Sequence, residues 1–464
     1  MKRAFMFLAI LLLALGLAAC GGGEEGTTTG AEGTATPAGK TVKITFWHAM
    51  GAANQETLKR LTDQFNASQT EVQVELQFQG TYEDNLNKLV ASRASGDVPA
   101  IIQLHDVTTQ FLVDSGMLTP VQEFIDRENY DLSDFQPRVI EYYTVDGKLW
   151  GMPFNVSNPI LYYNKVHFRE VGLDPDKPPR TLEELTQYCQ KLTIRNETGG
   201  IERHCIALEV SPWYIEQLLA VSGDLYVNNG NGRDARATEA AFNGPRGKEI
   251  FQWWHDLMDS VDAQNMGRNP GGDLHFLAIG VGQATMTIGT SAALRTIVDV
   301  LEAPGSIQLA DVELGTGPLP GFADAKGGSL VGGAALWILN QRPKEEQEAA
   351  WKYIKYLVDP QQQAEWYSGS GYFPIRLSAY DLPAAKEVEA KYPHFRVAVD
   401  QFLRAPSTRA TQGALVGPFV RVREIVQKAV EQTILTGKDP GQALDEAAAQ
   451  ATQEIQDYNR RIGR

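Results

Sequence analysis

An α/β fold divided between two lobes is predicted from three observations. Strand-like and helix-like patterns alternate from Thr41 to Asp106, about 424 residues follow residue 40, and the predicted strand ends are rich in Tyr, Trp, Ser and Gly. The alternation implies a parallel sheet with helices on both faces. The length exceeds what one compact core usually serves.

The chain opens with "MKRAFMFLAILLLALGLAAC". Lys2 and Arg3 precede an apolar run from Ala4 to Leu17, which is the layout of a secretory leader and short for a membrane span. Leu17–Ala18–Ala19–Cys20 resembles a bacterial lipobox, which implies cleavage before Cys20 and lipid on its thiol; an ordinary leader with a chance Cys is the plainer reading. Residues 21–40 hold Gly, Thr, Ala and Glu and no large apolar side chain. Such a stretch suits a flexible tether.

"TVKITFWHAM" (41–50) alternates at Val42, Ile44 and Phe46, as a buried strand should. Residues 54–69 space Leu58, Leu61 and Phe65 as a helix, 72–80 alternate again, and Leu86, Leu89 and Val90 mark a second helix. "PAIIQLHD" (99–106) reads as a third strand. Further along, Thr181 and Glu184 match a capping box for a helix over 181–192. Residues 247–260 form an amphipathic helix, 280–289 a strand, 290–301 a helix and 329–340 a strand with a glycine pair. Helices on both sides of Asp359–Pro360 follow, and a long helix over 441–462 closes the chain. "WGMPFNVSNPILYYNK" (150–165) breaks an apolar run with Asn155 to Pro159, poor choices for the inside of a central strand.

The net charge of −15 excludes a basic nucleic-acid-binding face. No His or Cys cluster has metal-ligand spacing, so no metal or other cofactor is expected. Cys189 and Cys205 remain besides Cys20, and either a disulfide or two buried thiols fits an exported chain. There is no nucleophile elbow, phosphate loop, H-E-x-x-H or glycine-rich dinucleotide turn. An exported glycoside hydrolase would need two carboxylates with separated pKa values, and nothing singles out such a pair.

Ligands of open α/β sheets sit at the carboxyl ends of strands. There the chain places Trp47, His48, Tyr82 and Asp106, and further loop positions of the same character are Asn155, Ser157, Trp213, Tyr214, Ser291, Gly332, Gly333 and Tyr372. Aromatic faces with hydroxyls, amides and a carboxylate suit a small polyol. Any one of these aromatics is equally read as core packing, and the reading rests on their number.

Several segments carry a resemblance to a known family: "FWHAM" (46–50), "GTYEDNL" (80–86), "PAIIQLHDVTT" (99–109), "PFNVSNPILYYNK" (153–165), "VGLDPDKPPRTLEEL" (171–185), "GGAALWI" (332–338) and "AEWYSGSGYFPI" (364–375). They resemble the extracellular solute-binding proteins of sugar-type ABC importers, sugar-binding family 1. The branch that binds sn-glycerol 3-phosphate is nearest. The resemblance implies a periplasmic-binding-protein-like, maltose-binding-protein type of fold, with two α/β lobes, a hinge and an interlobe cleft. It implies lobes over 41–152 plus 318–365 and over 153–317 plus 366–464, after the leader (1–20) and tether (21–40).

By the same resemblance, Tyr82, Asp106, Ser157, Ser291, one of Gly332 or Gly333, and Tyr372 line the cleft. Asp106 stands where the family has Glu, which shortens the acceptor's reach. Leu415 stands where the family has a phosphate-binding Arg, and Leu cannot replace a bidentate anchor. Arg409, Arg421 or Arg423 are candidate substitutes, and the turn at Thr290–Ser291 offers backbone N–H groups. The expected solute is therefore glycerol 3-phosphate, a glycerophosphodiester or a neutral sugar, with Trp213 and Tyr214 suited to a choline group. Implied partners are that solute and an ABC permease with a separate ATPase. The membrane is met through the lipid anchor alone, no nucleic acid is bound, and the protein is a monomer. A sensory binding protein is the remaining alternative.

Overall fold

The computed structural model describes residues 41–260, 262–269, 272–303 and 311–463. The leader, the tether and Cys20 lie outside the described residues. Two six-stranded sheets are built within one compact unit, Thr41–Arg464. The first has the order Val72–Phe78, Val42–His48, Ile101–His105, Gly332–Leu339, Leu118–Thr119, and Met152–Ser157 also pairs with Gly332–Leu339. The second has the order Ala263–Asn265, Ile201–Leu208, Ala284–Thr290, Pro159–Asn164, Leu314–Pro318, with Ile194–Arg195 added beside Ile201–Leu208.

Both sheets are mixed rather than all-parallel. The strands from Val42, Val72 and Ile101 are parallel, as their intervening helices require. Gly332–Leu339 enters from the other sheet, without a helical crossover onto its own, and runs antiparallel to Ile101–His105 and to Met152–Ser157. In the second sheet Pro159–Asn164 likewise runs antiparallel to both of its neighbours.

Strand pairing moves the passages between the lobes. Met152–Ser157 belongs to the first sheet and Pro159–Asn164 to the second, so the chain changes sheet at Asn158 and not after residue 152. Leu314–Pro318 still pairs in the second sheet, so the return lies between Pro318 and Gly332. Phe373 pairs with Val156 of the first sheet, the helix His394–Arg404 packs against Leu314–Pro318 and Pro159–Asn164 of the second, and Val416, Phe419 and Ile455 pack into the core of the second.

Local chemistry explains several elements. The helix Tyr82–Ser92 starts on a full capping box between Thr81 and Asp84. At Leu182–Leu192 the box is half made: Thr181 accepts from the Glu184 N–H, but the Glu184 carboxylate accepts from Arg180 N–H at 2.7 Å. Cys189, on that helix, is joined to Cys205 of Ile201–Leu208 in a disulfide, with Cα atoms 4.9 Å apart. No described helix is long and apolar enough to cross a membrane.

Candidate functional site

The passage Met152–Ser157 carries the first part of the site. The Asn155 amide is fully buried, donates to the Tyr82 hydroxyl at 2.9 Å and accepts from the Gln103 amide at 2.7 Å. Gln103 in turn accepts from the Ala49 N–H at 3.0 Å. The Tyr372 hydroxyl joins this group through the Tyr82 phenol and the Asn155 amide. Burial, reinforced by Tyr372, raises the Tyr82 phenol well above its ordinary value, so both phenols stay protonated donors. The rings are fixed by stacking, Tyr82 on His105 with centroids 5.3 Å apart and Tyr372 on Trp366 at 5.6 Å.

The glycine pair brings backbone close to this group. Gly333 has φ +105°, and a Cβ there would meet the Asn155 carbonyl oxygen at 1.9 Å. Gly332 is paired in register with Ser157, and its Cβ would meet the Trp213 ring at 2.8 Å. Trp213 thus lies over Gly332, half-buried at the start of Pro212–Ser222. Ser291 is fully buried and its Oγ has no hydrogen-bond partner among the described residues.

Asp106 forms the third part, at the end of Ile101–His105. It is buried, receives a long hydrogen bond from the Tyr142 hydroxyl at 3.4 Å, and burial pushes its carboxyl up to about 7. From the second lobe Arg423 faces it, but that guanidinium is held by Glu216 through two 2.6 Å bonds. Burial opposes the arginine's charge, yet the Glu216 carboxylate overrides this and holds its pKa above the usual value. Next to them, His105 is pushed down to about 3 by burial and by Arg423, so it is neutral.

Two expected residues are not brought here. His48 shares a strand face with Ile44 and Phe46. Its ring packs on Phe46 and Phe78, its Nδ1 accepts from the Met50 N–H at 3.2 Å, and burial pushes it down to about 4. Trp47 is buried, with its indole N–H on Gln77 at 2.8 Å and the Lys88 ammonium 4.2 Å from its ring centroid. Tyr214 is also unavailable to a choline group, because it is buried and donates to the Ile288 carbonyl at 2.6 Å. At the Thr290–Ser291 turn the N–H of Ser291 is taken by the Asn158 carbonyl and that of Ala292 by Thr290 Oγ1. That turn offers these two N–H groups to no anion.

Leu415 is buried, with its N–H on the Asn231 carbonyl at 2.8 Å. Each candidate substitute for a phosphate-binding arginine already has a carboxylate: Arg409 has Asp234, Arg421 has Glu424 and Arg423 has Glu216. A cavity of about 770 Å³ touches Leu415, and of the expected solute-contacting residues only the candidate anchor Arg409 lines it. Its Arg233 spends its guanidinium on the Gly413, Gln412 and Glu141 carbonyls, and its Arg236 on Asp114. A second cavity, about 610 Å³, meets the polar group only at Tyr372 and is otherwise walled mainly by apolar side chains such as Phe276, Ile297 and Leu314. Neither cavity is lined by Tyr82, Asp106 or Ser291, whose Oγ keeps its hydrogen-bonding capacity unspent among the described residues.

Sequence reasoning missed Gln103, Tyr142 and Glu216, and it named Arg423 only as one of three candidate phosphate anchors, not as the partner of Glu216. Two of them left a signal. Glu216 is the one charged residue of the mainly apolar helix Pro212–Ser222, and Arg423 sits between Phe419 and Val426 on the buried face of its own helix.

The family model described as bacterial extracellular solute-binding protein matches residues 60–396. The sn-glycerol-3-phosphate-binding periplasmic protein UgpB of Salmonella typhimurium is 31% identical over 428 residues, covering 90% of this chain and 93% of that protein. Its counterpart in Escherichia coli K12 is 30% identical over 459 residues, covering 97% of each. Among solved structures, UgpB from Mycobacterium tuberculosis in complex with glycerophosphocholine is similar with a TM-score of 0.74 and 20% identity, over 90% of this chain and 100% of that one. A maltose-bound protein of T. maritima is similar with a TM-score of 0.71 and 20% identity, over 89% of this chain and 100% of that one. At such identities the structural likeness speaks for the fold: two lobes of the maltose-binding-protein type.

Proposed function

From the premise that the chain belongs to the bacterial extracellular solute-binding proteins, as a non-enzymatic component of an ABC importer related to UgpB, we propose that it captures a glycerophosphodiester. The solute is held between the two lobes, and contacts to both shift the population toward the closed form. The closed form is then delivered to a membrane permease driven by a separate ATPase. We read Cys20 as the lipid-bearing residue and 21–40 as the tether that keeps a monomer near that permease.

The observation that carries the ligand reading is the pairing of Arg423 with Glu216. A dianionic phosphate monoester needs an unspent guanidinium, and Leu415 removes the one the relatives' pattern predicts. With Arg423 neutralised and Asp106 beside it, the site is acceptor-rich. It suits glycerol hydroxyls and a singly charged diester better than a monoester. The M. tuberculosis protein, whose structure holds glycerophosphocholine, supports the same class. Tyr82, Asn155 and Tyr372 supply neutral donors, and Trp213 over Gly332 supplies an aromatic face for C–H surfaces or a quaternary ammonium. That half-buried face also favours a second reading, a neutral sugar.

Calorimetry with glycerophosphocholine, sn-glycerol 3-phosphate, maltose and glycerol tests this. Glycerophosphocholine is expected to bind at least about 10-fold more tightly than the monoester, a difference of about 1.4 kcal/mol. Tighter binding of the monoester would overturn the diester reading, and binding of maltose alone would replace it with the sugar reading.

A further inference from the structure

Behind Asp106, between the lobes, is a cavity of about 10 Å³ lined by Asp106, Tyr142, Glu216, Asp224, Tyr226 and Asn231 among others. That is about the space one water-sized group occupies. Three of its walls are already satisfied or remote from exchange. Glu216 is held by Arg423. The Asn231 side chain accepts from the N–H groups of Tyr226 and Val227 and donates to the Arg409 carbonyl. Tyr142 donates to Asp106.

Tyr226 is different. It is 4% exposed, and its hydroxyl has no partner among the described residues. It cannot swing to find one, because its ring is packed between Phe242 and Phe419 with centroids 4.9 and 5.4 Å away. Its backbone is pinned by Asn231. Asp106, in the same lining, retains lone pairs beyond those met by Tyr142 and by the Val107 N–H. The cavity thus presents one unmet donor and one unmet acceptor. A hydroxyl donates one hydrogen bond and accepts others, so it matches both. A methyl would leave two buried polar atoms unsatisfied, and an anion would meet three carboxylates.

We propose that Tyr226 is a solute-contacting residue of the second lobe, which with Asp106 of the first encloses a single hydroxyl group of the bound solute. This rests on the reading of the chain as a receptor for a glycerol-headed solute. It gives closure a direct chemical reason, since only apposition of the lobes completes the pair of partners. A bound water has the same chemistry, and the test separates the two sources.

The test is calorimetry of sn-glycero-3-phosphocholine and of its analogue lacking the terminal hydroxyl, on the native protein and on Tyr226→Phe, with thermal unfolding as the folding control. The analogue is expected to bind native protein about 10-fold more weakly than the parent compound. Tyr226→Phe is expected to weaken the parent by a similar factor and to leave the analogue unchanged. An equal loss for both compounds would mean that water fills the cavity, and the proposal fails. It also fails if Tyr226→Phe leaves the parent's affinity unaltered, or if native protein does not distinguish parent from analogue, an arm that needs no variant to fold. If neither compound binds native protein, the ligand reading falls and this proposal with it.

Discussion

The side-chain amide of Asn158 donates to Ser329 Oγ at 3.3 Å, tying the residue where the chain changes sheet to the segment by which it returns. The same amide donates to the Ala398 carbonyl at 3.1 Å, and the Asn158 carbonyl accepts from the Ser291 N–H at 3.0 Å. Arg138 completes the clasp by donating to the carbonyls of Ser329, Phe402 and Thr411. One arginine thus ties the returning segment at Ser329 to the Phe402 and Thr411 backbone, where a hinge must bend while its polar backbone stays paired.

Asn158→Ala removes a fully buried amide and leaves Ser329 Oγ and the Ala398 carbonyl without that donor. Unmet buried groups of this kind cost about 1–3 kcal/mol. The expected outcome is a loss of that size in urea unfolding. A change below about 0.5 kcal/mol would show that the clasp contributes little to stability.

Asp106 makes stability depend on pH with a definite sign. Its folded pKa is raised to about 7, mainly by burial, above the unfolded carboxylate value. The folded state therefore binds the extra proton between about pH 4 and 7, and this contribution is fully present at low pH and lost as pH rises through about 7. Glu209, also raised to about 7 by burial, acts in the same direction. His48 and His275, pushed down to about 4 by burial, act oppositely, losing stability as pH falls toward 4. Comparing native protein with Asp106→Asn isolates the first term. The stability of native protein relative to the variant is expected to fall from pH 4 to 7, by at most about 1.4 kcal/mol per pH unit. A flat difference would mean that Asp106 titrates normally.

The Cys189–Cys205 bridge closes a loop of sequence separation 16. Chain-entropy reasoning for a loop of that size gives about 3 kcal/mol. Cys189→Ser with Cys205→Ser is expected to lower the urea midpoint accordingly, and a reducing agent is expected to destabilise native protein but not the double variant.

Much of the architecture was legible because it is local. The alternation of Val42, Ile44 and Phe46 became the strand Val42–His48, and the spacing of Leu58, Leu61 and Phe65 became the buried face of Ala52–Ser68. The strand-end rule pointed to Tyr82 and Asp106 and equally to Trp47 and His48, whose side chains are taken up by Gln77 and by the Met50 N–H, because a strand end does not say which side chain turns toward the cleft and which toward a helix. The polar network was not legible at all. Gln103 meets Asn155 across 52 residues and Arg423 meets Glu216 across 207. Such pairs are created by topology, which no local pattern encodes. The sheet change at Asn158 was foreshadowed by the polar break, but its place was set by which strand each flank pairs with.

Gly333 offers a direct test of how the site is framed. Its φ of +105° lies where a side chain is strained, and an added Cβ would lie 1.9 Å from the Asn155 carbonyl oxygen. Backbone must move to admit it, and the backbone that moves carries Asn155, whose amide orients the Tyr82 hydroxyl. Gly333→Ala is therefore expected to weaken solute binding by more than about 10-fold, alongside a loss of about 1–3 kcal/mol in stability from the strained conformation. Gly96 also has a positive φ but nothing within 4 Å of its Cβ position. Gly96→Ala is expected to show strain of similar size with unchanged affinity. Calorimetry and urea unfolding of both variants separate backbone strain from disruption of the site, and equal affinities for the two would refute a framing role for Gly333.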